Sequence, residues 1–274
     1  MSLPLHKKRA LEDSLRSHAS VVVAFSGGVD SAFLTAVAHD VLGTRALAVT
    51  AVSPSLARRE RAGAEALARA YGWQHLVVET HEVHRPEYAR NAGDRCYWCK
   101  DELFTVLAPV AAERGAAIAV GTNTDDLGDH RPGLRAAREH GVLSPLVDAD
   151  MSKADVRALA AERGLPVADK PASPCLASRV AYGVEVTPER LRRIDAAEEA
   201  VRALGFDVLR VRDHGDLARV EVPAKDLPRA AALREELHAR LSELGFRFVT
   251  LDLAGFRSGS LNAALRPPAI RRGE

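Results

Sequence analysis

The chain has 274 residues, 47% hydrophobic and 27% charged, which predicts a globular protein near the size at which one domain divides into two. Its 38 basic residues nearly match its 37 acidic ones, so no global charge exists to hold a nucleic-acid backbone. No stretch approaches the roughly 20 apolar residues of a membrane helix, and the polar start from Leu5 leads into no secretory core. We therefore expect a cytoplasmic protein with neither a nucleic-acid nor a membrane partner.

A strand, a glycine turn and a helix are predicted near the N-terminus. The apolar run 21–25 is followed directly by Ser26, Gly27, Gly28, Val29, Asp30 and Ser31. Such a turn aims unpaired N–H groups and the positive end of a helix at one point, which suits phosphate. The spacing matches neither the nucleotide triphosphatase motif nor the dinucleotide-binding motif. It resembles the Ser-Gly-Gly-x-Asp-Ser pyrophosphate loop of enzymes that cleave ATP to AMP and pyrophosphate.

Strand candidates alternate with helical patterns through the first half of the chain. They are Val21 to Phe25, Ala46 to Val52, His75 to Val78 and Ala117 to Val120. This alternation predicts an α/β fold, a Rossmann-like parallel sheet with helices on both faces. Ligands bind such sheets at the carboxyl ends of the strands, where the Ser26 turn lies. A helix capped by Ser152 is predicted to run to Gly164, and the Pro-rich segment 169–175 is predicted to be a loop.

After Gly183 the pattern predicts a smaller α+β domain. One helix starts at Thr187-Pro188, a second runs from about Leu227 to Leu244, and a strand runs from Phe248 to Leu253. A hairpin of 208–212 and 218–222 lies between the helices. If Leu209, Val211, Val220 and Val222 face a core, the opposite face carries Arg210, Arg212, Arg219 and Glu221. We predict domains at 1–180 and 181–266, with a disordered tail at 267–274.

The three cysteines favour reactive or metal-binding thiols over disulfides, because their number is odd and no signal peptide precedes them. Cys96 and Cys99 form a Cys-x-x-Cys, and Cys175 lies in the Pro-rich loop. A closed zinc site takes four ligands, and His81 or His84, which could complete one, are each more typical of a surface histidine. Three thiolates suit a [4Fe-4S] cluster with one open iron.

Cys175 also has the surroundings of a nucleophile. Ser178 and Arg179 follow it closely, and a nearby cation favours the thiolate. The alternative, a small buried hydrophobic residue, fits poorly among prolines, a serine and an arginine.

Five motifs together resemble the LarE family of ATP-dependent sacrificial sulfur transferases. They are the loop 26–31, the stretch 121–126 continuing to 131–133, the block 174–179, the segment 210–215 and the segment 255–262. The resemblance covers nearly the whole chain, and the Pro-Cys-Leu-Ala-Ser-Arg block at 174–179 is its most specific motif. It implies the Rossmann-like fold of the adenine nucleotide alpha hydrolases and assembly as a hexamer.

The resemblance also implies a reaction. ATP adenylylates a carboxylate of pyridinium-3,5-biscarboxylic acid mononucleotide, and sulfur then converts it to a thiocarboxylate, in the biosynthesis of the nickel-pincer nucleotide of lactate racemase. ATP is expected at the loop 26–31 and at Gly121, with Mg²⁺ near Asp30. In members that sacrifice their cysteine, the residue matching Cys175 attacks the acyl-adenylate, and later cleavage of its Cβ–S bond leaves dehydroalanine.

Cys96 and Cys99 match the family's three-cysteine variant, which is thought to hold a [4Fe-4S] cluster whose open iron binds sulfide. We favour this variant, with Cys96, Cys99 and Cys175 as ligands. The alternative is a sacrificed Cys175 with two bystander cysteines.

The implied substrate carries a phosphate and two carboxylates, for which arginines offer bidentate donors. The expected substrate-binding residues are Trp98, Ser178, Arg179, Glu199, Arg210, Arg212 and Glu221. Among them Trp98 could stack on the pyridinium ring, and Glu199 and Glu221 could orient arginines or face the pyridinium cation. The alternative is that the hairpin charges form a solvated face and Trp98 only packs.

Two other functions stay open on sequence alone. Another pyrophosphate-loop enzyme, such as a tRNA thiolase or an amide-forming synthetase, should show a basic RNA-binding domain or a glutaminase region, and we find neither. A non-enzymatic ATP-binding module or cluster-based sensor would not need Pro174-Cys175 together with the arginine hairpin.

Overall fold

The computed structural model describes residues 4–128 and 132–257. The strands are β1 (Val21–Ala24), β2 (Ala46–Val52), β3 (His75–Glu79), β4 (Ala117–Val120), β5 (Arg210–Asp213), β6 (Leu217–Glu221) and β7 (Phe248–Leu251). The helices are α1 (Leu5–Arg16), α2 (Val29–Leu42), α3 (Arg58–Ala70), α4 (Pro86–Ala89), α5 (Arg95–Glu113), α6 (Pro132–Glu139), α7 (Pro145–Asp148), α8 (Lys153–Glu162), α9 (Pro188–Arg202), α10 (Leu227–Ala232) and α11 (Arg234–Glu243).

The chain divides into two compact units. The first comprises the residues up to Glu82 together with Asp94–Ser173, and the second comprises Val83–Gly93 together with the residues from Pro174 onward. The predicted boundary at residue 180 differs because 83–93 and 174–180 belong to the second unit. Within that unit the side chain of Asn91 donates to the carbonyls of Ala181 at 2.8 Å and Val184 at 2.9 Å, which ties the two segments together.

The first unit contains the predicted parallel sheet. Its strand order is β3-β2-β1-β4, with every neighbouring pair parallel. The predicted Rossmann-like α/β fold is therefore confirmed. The four strands occur where the sequence predicts them, apart from Phe25, which follows β1, and Glu79, which extends β3.

Helices cover both faces of this sheet. Successive side chains of a strand point to opposite faces, so neighbouring residues of β1 pack against different helices. Val21 and Val23 pack into one core with apolar residues of α1, α2, α3 and α8. Val22 packs into the other core with apolar residues of α5 and α6. The continuous apolar run of β1 is thus explained by burial on both sides.

Helix α8 begins where the sequence predicts it. The hydroxyl of Ser152 accepts from the N–H of Asp155 at 3.2 Å, and the Asp155 carboxylate accepts from the N–H of Ser152 at 2.9 Å. This reciprocal capping box fixes the first turn of the helix. The loop 169–175 is irregular, as predicted.

The second unit contains a three-stranded sheet of order β5-β6-β7. Strands β5 and β6 are antiparallel, as the hairpin prediction requires, and β7 adds in parallel to β6. The four apolar residues predicted to face the core are fully buried: Leu209, Val211, Val220 and Val222. Helix α9 starts at the predicted cap, where the Thr187 hydroxyl accepts from the N–H of Arg190 at 3.3 Å.

The single helix predicted over 227–244 is wrong. Leu233 leaves the helical region with φ −91° and ψ 22°, and it separates α10 from α11. Three further predictions fall outside the described residues: Arg131, the block from Ser258 to Asn262, and the tail from Pro267. Across 4–128 and 132–257, none of the helices has the length and apolar character that a membrane span requires.

Candidate functional site

The loop between β1 and α2 is braced by two serine hydroxyls. The N–H of Ser26 donates to Oγ of Ser31 at 3.2 Å, and the two hydroxyl oxygens lie 3.1 Å apart. The hydroxyl of Ser31 also donates to the carbonyl of Gly28 at 3.1 Å. These bonds close the predicted hexapeptide into a compact turn at the carboxyl end of the central strand.

This turn presents backbone donors from the start of α2. The first helical bond runs from the N–H of Ala32 to the carbonyl of Gly28 at 2.9 Å, so helix geometry provides no intrahelical acceptor for the N–H groups of Val29, Asp30 and Ser31. The residue at the cap position is Gly28, which has no side chain that could accept a hydrogen bond from these N–H groups. The positive end of the helix dipole lies at the same point, which makes the turn suited to an anion.

Two glycines allow the backbone to approach closely here. Gly27 has φ +71°, and a Cβ on it would lie 3.0 Å from Cβ of Ala64 in α3. A Cβ on Gly121 would lie 2.8 Å from the backbone nitrogen of Ser31. Gly121 therefore lets the end of β4 lie directly against the start of α2, which places this predicted site residue beside the loop.

Asp30 faces residues that come from much later in the chain. Its Oδ1 accepts from Nδ2 of Asn123 at 3.1 Å, and its Oδ2 accepts from Nζ of Lys153. The N–H of Lys153, at the first position of α8, donates to Oδ2 of Asp125 at 3.0 Å. Sequence reasoning missed Lys153; the signal was a lysine at a capped helix start on the ligand-binding edge of the sheet.

A second lysine that the sequence analysis missed lies on the other side of the loop. Nζ of Lys170 donates to Oε2 of Glu60 at 2.6 Å and to the carbonyl of Gly27 at 3.3 Å. Both lysines are only partly buried, with 32% of the Lys153 side chain and 26% of the Lys170 side chain exposed. Two ammonium groups beside a turn whose N–H groups have no intrahelical acceptor suit a polyanion such as a triphosphate.

Cys96 and Cys99 lie in the first turns of α5, one helical turn apart on the same side of the helix. Cys96 is exposed and Cys99 is half-buried. Between them, Nε1 of Trp98 donates to Oδ2 of Asp94 at 3.1 Å, and its ring packs edge-on against Tyr97. Its predicted stacking on substrate stays a prediction.

The predicted three-thiol set draws on both units, because Cys96 and Cys99 belong to the first and Cys175 to the second. In the described ranges, no three or more His, Cys, Asp or Glu side chains are grouped as a metal site. The cluster therefore stays a prediction.

In the second unit, Cys175 lies at the N-terminal cap position of a short 3-10 helix that spans Leu176–Arg179. The Cys175 side chain is half-buried, and its carbonyl accepts from the N–H of Ser178 at 2.9 Å. We call Pro174 to Arg179 the Cys175 turn.

Arg179 is directed at protein acceptors of this turn. It is only 2% exposed, and its guanidinium binds the Glu198 carboxylate in bidentate fashion at 2.9 and 3.3 Å. Its Nη1 donates to the carbonyl of Pro174, to the carbonyl of Cys175 at 3.1 Å and to Oγ of Ser178 at 3.0 Å. Arg179 thus has a role in holding the Cys175 turn that the sequence did not predict, and its role as a substrate ligand stays a prediction.

Arg212 makes a similar arrangement from strand β5. Its Nε and Nη2 donate to Oε2 of Glu221 at 3.0 and 2.8 Å, and its Nη1 donates to the carbonyl of Ser178 at 3.0 Å. Glu221 is fully buried and Arg212 is 5% exposed. Glu221 therefore orients arginines, as expected, since Nη2 of Arg219 also donates to it at 3.0 Å.

The alternative that the hairpin charges form a solvated face is wrong for Arg212 and Glu221. Both side chains are buried, and Arg212 donates to the carbonyl of Ser178 in the Cys175 turn. The chain that follows this turn lies along the edge of β5, where the N–H of Ala181 donates to the carbonyl of Asp213 at 2.9 Å and Val180 bridges to Asp213 in parallel.

Arg210 differs from its neighbours in charge environment. It is half-buried, its Nη1 donates to the carbonyl of Leu209 at 2.6 Å, and its guanidinium lies 5.2 Å from the ring centroid of Phe256. Burial first, and then the cation of Arg179, lower the pKa of Arg210 to about 10. A bound anion would offset both effects, so among the predicted arginines Arg210 is the best candidate for an anionic group of a ligand.

Glu198 lies next to the predicted Glu199 and was not itself predicted from the sequence. Glu199 is partly exposed and pairs with Arg202 at 2.6 Å, whereas Glu198 is buried and holds Arg179. The missed signal lies in helical spacing: position 198 falls on the apolar face of α9 that Leu191, Ile194 and Val201 define. A glutamate on such a face requires a buried partner.

Known proteins resemble this chain over most of its length. The asparagine synthase family profile matches residues 8–113. The pyridinium-3,5-bisthiocarboxylic acid mononucleotide synthase of Lactiplantibacillus plantarum is 39% identical over 261 residues, which cover 94% of this chain and 95% of that protein. An uncharacterized protein of Synechocystis sp. is 45% identical over 89% of this chain and 92% of its own length. An uncharacterized protein of Methanocaldococcus jannaschii is 30% identical over 87% of this chain and 91% of its own length.

Proposed function

The chain belongs to the LarE family of ATP-dependent sulfur transferases, and on that premise we propose that it converts a carboxylate of pyridinium-3,5-biscarboxylic acid mononucleotide into a thiocarboxylate. ATP is cleaved to AMP and pyrophosphate in the process. The observation that carries the proposal is the braced loop at Ser26, whose backbone donors at the start of α2 suit an anion and lie beside the ammonium groups of Lys153 and Lys170.

The first step makes the substrate reactive. A carboxylate is a poor electrophile until its oxygen becomes part of a good leaving group. Attack of the substrate carboxylate on the α-phosphorus of ATP forms an acyl-adenylate and releases pyrophosphate. The N–H groups of Val29, Asp30 and Ser31, with the ammonium groups of Lys153 and Lys170, stabilise the charge that builds up on the departing pyrophosphate.

The residues present suit a magnesium ion with the nucleotide. The carboxylate of Asp30 supplies the oxygen ligands that Mg²⁺ prefers, and it lies at the loop itself. When bound, the ion neutralises charge on the phosphate oxygens.

Sulfur enters in the second step, for which Cys175 is the central residue. We propose that Cys96, Cys99 and Cys175 hold a [4Fe-4S] cluster. The placement of Cys96 and Cys99 fits two of its ligands, since both thiols lie on one side of α5 near its positive end, which favours thiolates. When bound, the cluster supplies a site where sulfide can be replenished between turnovers.

The alternative source of sulfur is Cys175 itself. Its thiolate would attack the acyl carbonyl, AMP would leave, and a thioester would remain. Removal of the Cα proton of Cys175 would then break the Cβ–S bond, with the electron pair going to sulfur. The products would be the thiocarboxylate and a dehydroalanine at position 175, so each chain would act once.

Substrate recognition is assigned first to Arg210, whose lowered pKa reflects burial and neighbouring cations. Trp98, Ser178, Glu199 and the other predicted side chains stay candidates. We also infer a homo-oligomer, a hexamer by family resemblance, which light scattering of the purified protein would test.

The experiment is an anaerobic incubation of protein reconstituted with iron and sulfide, to which Mg²⁺, ATP, sulfide and pyridinium-3,5-biscarboxylic acid mononucleotide are added. We expect AMP and pyrophosphate in equal amounts and a thiocarboxylate product detected by mass spectrometry. Formation of ADP and phosphate instead would contradict the proposal, as would AMP formation that does not depend on the pyridinium substrate. Nicotinamide mononucleotide, a pyridinium mononucleotide that carries a carboxamide and no carboxylate on its ring, serves as the control substrate.

A further inference from the structure

We propose that Glu198 is a positioning residue that fixes the orientation of Cys175 by acting through Arg179. This inference rests on the proposed function, in which Cys175 handles the sulfur atom. Glu198 itself contacts neither the Cys175 thiol nor its backbone in the contacts described above, so its effect passes through the guanidinium.

The buried pair of Glu198 and Arg179 restrains the backbone around Cys175, and we call this pair the clamp. Nε and Nη2, which form one edge of the guanidinium, donate to the two carboxylate oxygens of Glu198, so a residue of α9 sets the plane of the group. The remaining nitrogen donates to the carbonyls of Pro174 and Cys175. The backbone on both sides of the Cys175 Cα is therefore fixed relative to α9.

The clamp is anchored at its other end as well. Oε1 of Glu198 also accepts from the N–H of Val211 at 3.3 Å, so the carboxylate is held by strand β5. From the same strand, Arg212 holds the carbonyl of Ser178. The Cys175 turn is thus tied down at three carbonyls while the thiol side chain stays half-buried rather than enclosed.

Stability alone does not account for this arrangement. Buried ion pairs are expensive to desolvate, and apolar side chains of similar volume replace them with little or no loss of stability. Apolar side chains cannot, however, donate hydrogen bonds to the carbonyls of Pro174 and Cys175. The specific contribution of the pair is therefore the placement of the Cys175 turn.

Placement matters for either source of sulfur. A thiolate that attacks an acyl-adenylate needs its sulfur within a fraction of an ångström of the productive position, and a displacement of about 1 Å costs on the order of a hundredfold in rate. A thiolate that binds a cluster needs the same restraint, because ligand geometry is fixed by the backbone behind it.

The test replaces the pair without leaving a buried charge. The double variant Glu198→Leu, Arg179→Met keeps side chains of similar volume in the site. We expect the thiocarboxylate formed per AMP to fall on the order of a hundredfold relative to wild type. If Arg179 were instead mainly a substrate ligand, AMP formation would fall together with thiocarboxylate and the ratio would be unchanged, which would overturn the proposal.

The matched control is Arg190→Met. Arg190 pairs with the fully buried Asp213 in the same unit but makes none of the contacts to the Cys175 turn. This variant loses a buried charge contact, so it reproduces a general loss of stability. We expect it to keep the wild-type ratio of thiocarboxylate to AMP, and a reduced ratio in this control would show that the ratio reports stability rather than the clamp.

A second readout does not depend on activity. The N–H of Ser178, which donates to the Cys175 carbonyl, should exchange with deuterium at least about tenfold faster in the double variant and at the wild-type rate in Arg190→Met. If wild type makes no AMP, the proposed function fails, yet exchange still tests the clamp. If the double variant does not fold, Arg179→Lys serves instead, because it retains the charge but loses the bidentate hydrogen bonds. An unchanged exchange rate of the Ser178 N–H together with an unchanged ratio of thiocarboxylate to AMP in that variant would refute the proposal.

Discussion

Arg210 and Arg212 lie two residues apart on the same face of β5, yet the structure predicts opposite effects of removing them. Arg212→Ala would leave the fully buried carboxylate of Glu221 without its closest cation. Breaking a buried pair in this way costs about 3 to 5 kcal/mol of unfolding free energy. Arg219 also contacts Glu221 at 3.0 Å, so we expect the lower end of that range.

Arg210→Ala should act on binding instead. The Arg210 side chain is half-buried beside the cations of Arg179 and Arg212 as well as the carboxylate of Glu198, so its removal should cost less than breaking a buried pair, about 1 kcal/mol. Losing a charge-assisted hydrogen bond to the substrate should weaken binding by about 1.5 to 3 kcal/mol, roughly ten- to a hundredfold.

Peptide-resolved hydrogen exchange in strand β6 measures the stability of the second unit without depending on the first. Calorimetric titration with the pyridinium substrate measures affinity. Arg192→Ala is the control, since Arg192 forms an exposed pair with Glu189 on α9, and we expect it to leave both the stability and the affinity close to wild type. If Arg212→Ala loses no more stability than this control, the reasoning about the buried pair is refuted. If Arg210→Ala binds the substrate with wild-type affinity, Arg210 is not a substrate ligand.

Three more expectations can be checked on the same protein. Asp30→Ala should abolish AMP formation while the protein stays folded, because the side chain lies at the start of α2 and outside both cores. AMP is measured by chromatography, and a wild-type yield from this variant would show that Asp30 has no part in the mechanism. Cys96→Ala should lose the visible absorption and the multiple turnovers of anaerobically reconstituted protein, whereas full single-turnover activity with dehydroalanine at position 175 would rule out the cluster. Burial lowers the pKa of His75 below its usual 6.5, so the stability that its neutral imidazole contributes should be fully present above about pH 6.5 and be lost as the pH falls below that value. His75→Asn should reduce this pH dependence in urea unfolding.

The sheet and the pyrophosphate loop could be predicted because their signals are local. A buried parallel strand is an uninterrupted apolar run, as at Val21, and the loop is a contiguous hexapeptide directly after it. The Thr187 and Ser152 caps are also local, and both form as expected. The break at Leu233 was missed because nothing in its immediate neighbours is a strong helix breaker.

The missed site residues share a different cause. Lys153 and Lys170 reach the loop from positions 123 and 143 residues away from their partners Asp30 and Gly27. Only the packing of α8 and of the segment after it brings them there. Glu198 was passed over for Glu199 because a charged residue on an apolar helix face reveals its importance only when a buried partner such as Arg179 is known.

The two lysines at the pyrophosphate loop have a consequence for the order in which ligands can bind. Lys153 is paired with Asp30, and Lys170 with Glu60, so the loop carries balanced charges of both signs before any ligand arrives. An anion that takes the lysines alone leaves two carboxylates without their cations, and a cation that takes Asp30 alone leaves Lys153 without its anion. A ligand that brings both signs together satisfies all four groups at once. The nucleotide and its metal should therefore bind with positive linkage, each increasing the affinity for the other.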